Sequence, residues 1–184
     1  SFAREDFNGR FTLYDRNTID LDGNTWKAVA LKDYGYTGGY VISTNTTLSF
    51  EYRSNVIGEI QGIAWSRENL TTTNIYPPNV INVYGFNSLY GIRNYEYTSA
   101  GSWQTFSINL GEHDNSVINY LVFVGDDDAN NKADSQFRNI AINQSNRNRR
   151  PTDIGLSSSV IGSMRPISTL VGIFSATDPD DNDS

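Results

Sequence analysis

The sequence predicts an all-β protein: an antiparallel β-sandwich, jelly-roll-like, with a short extended C-terminal segment. Three observations predict it. Apolar and polar residues alternate with period two over several stretches, turn residues recur every few positions, and helical periodicity is absent. Eleven Tyr and nine Phe against one Met, with frequent Asn, Ser, Thr and Gly, add a preference for short strands and many turns. About eight to ten strands are expected between Phe2 and Ile142.

The first clear strand is Thr25–Lys32, which follows an Asp22-Gly23-Asn24 turn and turns Trp26 toward the core. Thr46–Arg53 places Leu48, Phe50 and Tyr52 on one face and Thr47, Ser49, Glu51 and Arg53 on the other, so one side is packed and one is wet. Trp103–Leu110 repeats this with Phe106, Ile108 and Leu110. Ile118–Val124 is almost wholly apolar, as a central strand covered on both faces would be, and Phe137–Ile142 closes the pattern. In Gly58–Ser66 one face carries Glu59, Gln61, Ile63 and Trp65, and the other Ile60, Gly62 and Ala64. The mixed face has the character either of a ligand-facing surface or of an exposed sheet face with an incidental Trp.

A chain of 184 residues is long enough for one full domain and part of a second. After Ile142 the polar, basic run ending in Pro151 reads as a linker. The expected division is a ligand-binding β-sandwich over residues 1–143, a linker over 144–151 and a partial repeat over 152–184, too short for its own core.

Fourteen basic and twenty-one acidic residues give a formal net charge of −7 with three lysines, so no basic surface suits a phosphate backbone and no nucleic-acid partner is expected. There is no cysteine, hence no disulfide framework, thiolate metal site or cysteine nucleophile. No apolar run approaches the roughly 20 residues that span a bilayer, and Ser1–Glu5 lacks an initiator Met or signal peptide, so the expectation is a piece of a longer chain that is not membrane-embedded. The lone histidine, His113, sits in a turn without a nucleophile motif, and no phosphate loop, zinc cluster or fixed carboxylate pair is visible. A non-catalytic role is expected.

The acidic residues point to calcium, which takes six to eight oxygens at roughly 2.3–2.6 Å. Asp126, Asp127 and Asp128, followed by Asn130, Asn131, Asp134 and Ser135, offer such a donor set. Alternation puts Asp126 and Asp128 on one face and Asp127 on the other, which ranks the first two above the third. Glu59 on an otherwise buried strand needs a counterion, since a lone buried carboxylate costs several kcal/mol. Calcium and Arg93 are the alternatives, with a plain exposed strand position as the third. Sugar recognition needs an apolar platform and planar polar groups, for which Trp65, Gln61, Tyr84, Asn87, Tyr90, Arg93 and Tyr95 are the candidates. The alternative for each Tyr is sheet packing with a wet hydroxyl.

Two stretches carry a family resemblance. Arg150–Val160, continuing through Thr169-Leu170-Val171-Gly172 to Ala176-Thr177-Asp178-Pro179-Asp180, resembles the opening of a bacterial cadherin-like repeat; Gly162 stands where such repeats usually carry an acidic residue. The resemblance implies a long extracellular array stiffened by calcium. Residues 2–142 are similar to carbohydrate-binding-type, lectin-like modules of bacterial adhesins and secreted polysaccharide-degrading enzymes. That similarity lies in Gly23–Lys27, Gly58–Ile63, Leu89–Arg93, Phe123–Asp128 and Ser135–Ile140, with Gln61 and Tyr90 differing from the usual residues. It implies binding rather than chemistry: a calcium-dependent module of a large cell-surface adhesin that grips an extracellular polysaccharide or other glycan. The alternatives are a peptide terminus as the ligand, or a carbohydrate-binding module attached to a secreted enzyme.

Overall fold

In the computed structural model of the chain, the described residues are 10–14, 17–70, 79–113, 116–144, 153–156 and 174–177. The chain divides into two compact units, Ser1–Ser145 and Asn146–Ser184. The described part of the first unit contains eleven strands: β1 (Arg10–Tyr14), β2 (Thr18–Asp22), β3 (Thr25–Ala30), β4 (Tyr40–Val41), β5 (Thr46–Arg53), β6 (Ile60–Ser66), β7 (Val80–Asn82), β8 (Gln104–Asn109), β9 (Val117–Ile118), β10 (Tyr120–Asp126) and β11 (Asp134–Gln144). The helical content of the described residues is two short 3-10 turns, Leu31–Tyr34 and Leu110–Glu112. The all-β class expected from the alternation is the class observed.

The strands form two antiparallel sheets, one of five strands in the order β1-β2-β11-β5-β8 and one of four in the order β3-β10-β6-β7. β4 and β9 make a separate two-stranded pair. Strand β5 fixes the inner face of the larger sheet: Leu48, Phe50 and Tyr52 are buried while Ser49, Glu51 and Arg53 are half-buried, as its alternation predicts. Facing it from the smaller sheet are Ile63, Trp65, Ile81, Leu121 and Phe123, and together these residues form the main apolar cluster. Phe123 of β10 and Phe137 of β11 meet across the sheets at 5.1 Å between ring centroids. Each fully buried side chain of this size contributes roughly 1.5–3 kcal/mol, so this layer is what holds the sandwich together.

The mixed face of β6 is not a wet surface. Ile63 and Trp65 point into the inter-sheet core, whereas Ile60 and Ala64 belong to a second cluster on the opposite face with Trp26, Leu70, Val80, Val122 and Val124. Both sides of β6 are covered, and six of its seven residues are buried. The close fit extends to the backbone: a Cβ at Gly62 would stand 1.8 Å from the Ile81 carbonyl oxygen. Trp26, expected in the core, is buried in the second cluster rather than between the sheets.

Gln61 is fully buried in this apolar layer and is saturated with hydrogen bonds. Its Oε1 accepts from the Gly58 N–H at 2.7 Å, and its Nε2 lies within donating distance of the Asp134 carbonyl at 2.8 Å and Ser135 Oγ at 3.0 Å. Ser135 Oγ is in turn 3.1 Å from the Tyr52 hydroxyl, whose acidity burial weakens beyond its ordinary range. A polar side chain so placed costs little while every partner is present, but removing it strands them.

The ligand candidates Tyr84, Asn87, Tyr90, Arg93 and Tyr95 fall in the connection between β7 and β8, which is irregular apart from isolated bridges. Gly85 and Gly91, the latter at φ 78°, break the chain there despite its aromatic content. In the second unit, β12 (Asp153–Leu156) pairs antiparallel with β13 (Phe174–Thr177). Strand β11 runs through Gln144; the rest of the expected linker, Gly162 and the Asp178-Pro179-Asp180 stretch lie outside the described residues.

Gln61→Leu should lower the free energy of unfolding by about 1–3 kcal/mol, because the shape is kept while Gly58 N–H and the Ser135 hydroxyl lose a buried partner. A urea midpoint unchanged from wild type would show that these bonds contribute nothing net.

Candidate metal centre

Strand pairing assembles the site. β10 runs between β3 and β6, with Gly125 opposite Thr25 and Asp126 opposite Ile60. Where β10 ends, the residues entering its neighbours flank it: Asn24 before β3 and Glu59 before β6. The Glu59 N–H donates to the Asp126 carbonyl at 2.7 Å, which extends the ladder by one bond.

Carboxylate oxygens of Glu59, Asp126 and Asp128 all lie within 4.8 Å of one another. Asp126 is buried, Glu59 half-buried and Asp128 exposed, so the group opens outward on one side. Hydrogen bonds aim each carboxylate. The Trp26 indole N–H donates to Asp126 Oδ1 at 3.2 Å, Asn24 Nδ2 to Asp128 Oδ1 at 2.5 Å, and the Asp128 N–H to Glu59 Oε2 at 3.0 Å. Three negative charges at this spacing repel by on the order of 3 kcal/mol per pair near a protein surface, and a divalent cation would reverse that term. Two oxygens in one calcium shell can be at most about 5 Å apart, twice the usual bond length. The spread of these three carboxylates is within that limit, so they could hold a metal ion.

Asp127, just past the end of β10, stands apart from this group. It is fully buried, with Oδ2 accepting from the Lys132 and Ala133 N–H groups at 2.7 and 3.0 Å, and it braces the loop that follows β10. Its Oδ1 has no hydrogen-bond partner among the described residues. Asp134 is also apart. Its Oδ1 accepts from Ser54 Oγ and the Asn55 and Val56 N–H groups at 2.7–2.9 Å, and Oδ2 from Asn55 Nδ2 at 2.8 Å, so it anchors the loop after β5.

Among the proposed ligand contacts, Trp65 and Gln61 are at 2% and 0% exposure and cannot present a surface. The mixed face of β6 lies against the other sheet, and Gln61 is already bonded within it. Tyr84 packs its ring on Tyr97 at 5.0 Å, and Tyr95 packs on the main cluster, where burial and then the Glu112 charge raise its hydroxyl pKa. Tyr90 meets Trp26 edge-on at 6.4 Å between centroids. Asn87 stays near the acidic group, its N–H donating to the Glu59 carbonyl at 3.0 Å. Arg93 is not the partner of the Glu59 carboxylate: its Nη1 donates to the Gly85 and Asn87 carbonyls at 2.7 and 2.9 Å, which folds the loop beside Glu59.

The roles of Asn24 and Trp26 at this site were not visible in the sequence, whereas Asn131 was among the expected oxygen donors. Asn24 and Trp26 hold Asp128 and Asp126 from 104 and 100 residues away, and the Asn131 side chain accepts from the Asn24 N–H at 2.6 Å. Gly23, at φ 71°, is needed beside them, since a Cβ would stand 2.3 Å from Asn131 Oδ1. Exposed apolar residues also border the site along the chain: Phe86 at 54%, Leu89 at 94%, and Val56 and Ile57 at 41% and 43%. The Phe86 N–H is bonded to the Gly58 carbonyl, next to Glu59.

Asp134 gives a pH signature. Burial raises its pKa, but the bonds from Asn55, Val56 and Ser54 outweigh burial and bring it below the ordinary 3.8. A carboxyl depressed in the folded state stabilises fully above its unfolded pKa and loses that contribution as pH falls through the folded value. The difference in unfolding free energy between wild type and Asp134→Asn should therefore be constant near neutral pH and shrink below about pH 4. A difference independent of pH in chemical denaturation would contradict this.

No protein-family model matches the chain, and no curated protein or solved structure is similar enough to register as a match.

Proposed function

We propose that the first unit is a non-catalytic, calcium-dependent binding module of a large bacterial cell-surface adhesin, and that its ligand is an extracellular glycan. The observation that carries the reading is the convergence of Glu59, Asp126 and Asp128, held by Asn24 and Trp26, beside a loop with exposed side chains. In this reading the three carboxylates hold calcium and leave part of its shell to ligand hydroxyls, since calcium accepts more oxygens than three side chains supply. Phe86 offers an apolar ring, and Arg93, whose side chain is exposed, offers donors beyond the two it uses on the loop. The resemblance of the chain's two parts to lectin-like modules and cadherin-like repeats supports a place outside the cell, with neighbouring domains of the same chain as partners.

A second reading has a peptide terminus completing the calcium shell with its carboxylate. The exposure of Leu89, Val56 and Ile57 favours it, because aliphatic knobs suit peptide side chains better than sugar rings.

Calorimetric titration of calcium into the chain should show binding that Glu59→Gln with Asp128→Asn weakens by about tenfold or more, given that each variant removes a charged ligand. Calcium at about a hundredfold excess over Kd should add about 2.7 kcal/mol to stability, and glycan-array binding should vanish in EDTA. Absence of calcium heat together with an unshifted melting temperature would end the calcium reading. Calcium-dependent capture of peptides but not glycans would select the second ligand.

A further inference from the structure

Away from the acidic group, the two sheets part along one side. β1 is the edge of the larger sheet and β3 the edge of the smaller, and between them opens a cleft of about 510 Å³. Its walls are Ile19, Val29, Leu31, Leu121, Phe123 and Ile142. Leu121 and Phe123 belong to the main cluster, on the opposite face of β10 from Val122 and Val124, so the cleft reaches the inter-sheet core and not the metal centre.

Two observations separate this space from a packing defect. Protein interiors are packed to crystal density with few voids larger than a water, whereas this cleft lies within the roughly 300–1,000 Å³ of ligand sites. Its rim also gathers large side chains that folding has left in water: Leu13 at 50%, Tyr34 at 67% and Tyr36 at 41% exposure. Apolar groups concentrated at one opening mark a site of contact with something less polar than water. The second observation is in the backbone. The pairing of β11 with β5 slips between Arg138 and Ala141, and Asn139 in that bulge takes φ 51°. Bulges bend a strand and re-aim its side chains, and here Asn139 and Ile140 both line the cleft.

The lining defines the occupant. Among the described residues it includes no charged side chain; its polar residues are Asn17, Asn139 and Asn143 with Tyr34 and Tyr36, and the Asn139 amide is already committed to Glu51 Oε1 at 2.9 Å. A carboxylate or ammonium drawn into this space would lose its hydration without gaining a counterion. We propose that the cleft binds an uncharged, elongated aliphatic amphiphile, its chain between the sheets and a hydroxyl, ester or amide end at the rim beside Asn17, Tyr34 and Tyr36. This site is separate from the glycan site proposed above and independent of calcium.

Dodecanol titrated into the folded chain and followed by two-dimensional amide NMR is the test. The expected shifts fall on β3 and on Ile140–Ile142 and spare Glu59 and Asp126, with or without EDTA. Dodecanoate and dodecylammonium should bind about tenfold or more weakly, for want of a counterion. Val29→Trp, which fills the cleft, should abolish dodecanol binding. Tyr34→Ala, at an exposed rim position where folding is not at stake, should weaken it several-fold and serves alone if the first variant does not fold. No binding by the wild type, or shifts scattered over the surface, would overturn the site. Equal affinity for dodecanoate would overturn the neutral class of ligand.

Discussion

The buried amide of Gln61 is the constraint on which the rest of the site depends. With no access to water, its oxygen and nitrogen must find partners inside the sandwich, and they find them on two segments at once: Val56 and Gly58 of the connection between β5 and β6, and the Asp134–Ser135 entry to β11. Those bonds pin Gly58, the residue next to Glu59, and the Glu59 N–H is itself bonded to the Asp126 carbonyl. Asp134 secures the same loop from the other side through Ser54, Asn55 and Val56. The position of a surface carboxylate is thus set by hydrogen bonds in the core, a stiffer support than a loop could supply by itself.

Register supplies the second part. Because β10 pairs with β3 and β6 on its two sides, a single strand end is met by Asn24 and Glu59 together. A slip of one residue would turn Asp126 inward and bring Asp127 out. The burial of Val122 and Val124 on one face and Leu121 and Phe123 on the other forbids that slip, so core packing selects which carboxylates face each other.

Much of this was legible in the sequence where the local pattern alone decides. Thr46–Arg53 alternates cleanly because one side is packed and the other wet, whereas the grouping of Asp126 with Asp128 is set by the turn that follows β10, since the strand ends at Asp126. The Gln61–Trp65 face was misread for a physical reason: alternation reveals that a strand has two faces but not what lies against each. An amide beside an indole resembles a wet surface until the Ser135 and Asp134 partners, more than 70 residues away, are known. The bonds from Asn24 and Trp26 to the carboxylates are hidden from the local pattern for the same reason, with partners 104 and 100 residues away.

The order of strands in space has a consequence for the nascent chain. In the larger sheet β11 lies between β2 and β5, and in the smaller one β10 lies between β3 and β6, so an interior strand of each is the one synthesised late. Until residues 120–144 have been made, β2, β3, β5 and β6 each lack a neighbour and leave open backbone edges. Such a topology cannot fold progressively from its N-terminus; it closes late, through contacts between distant segments, and is therefore a slow folder. A holdase or a translocation machinery that keeps the first hundred or so residues extended would suit this chain better than one that releases them early.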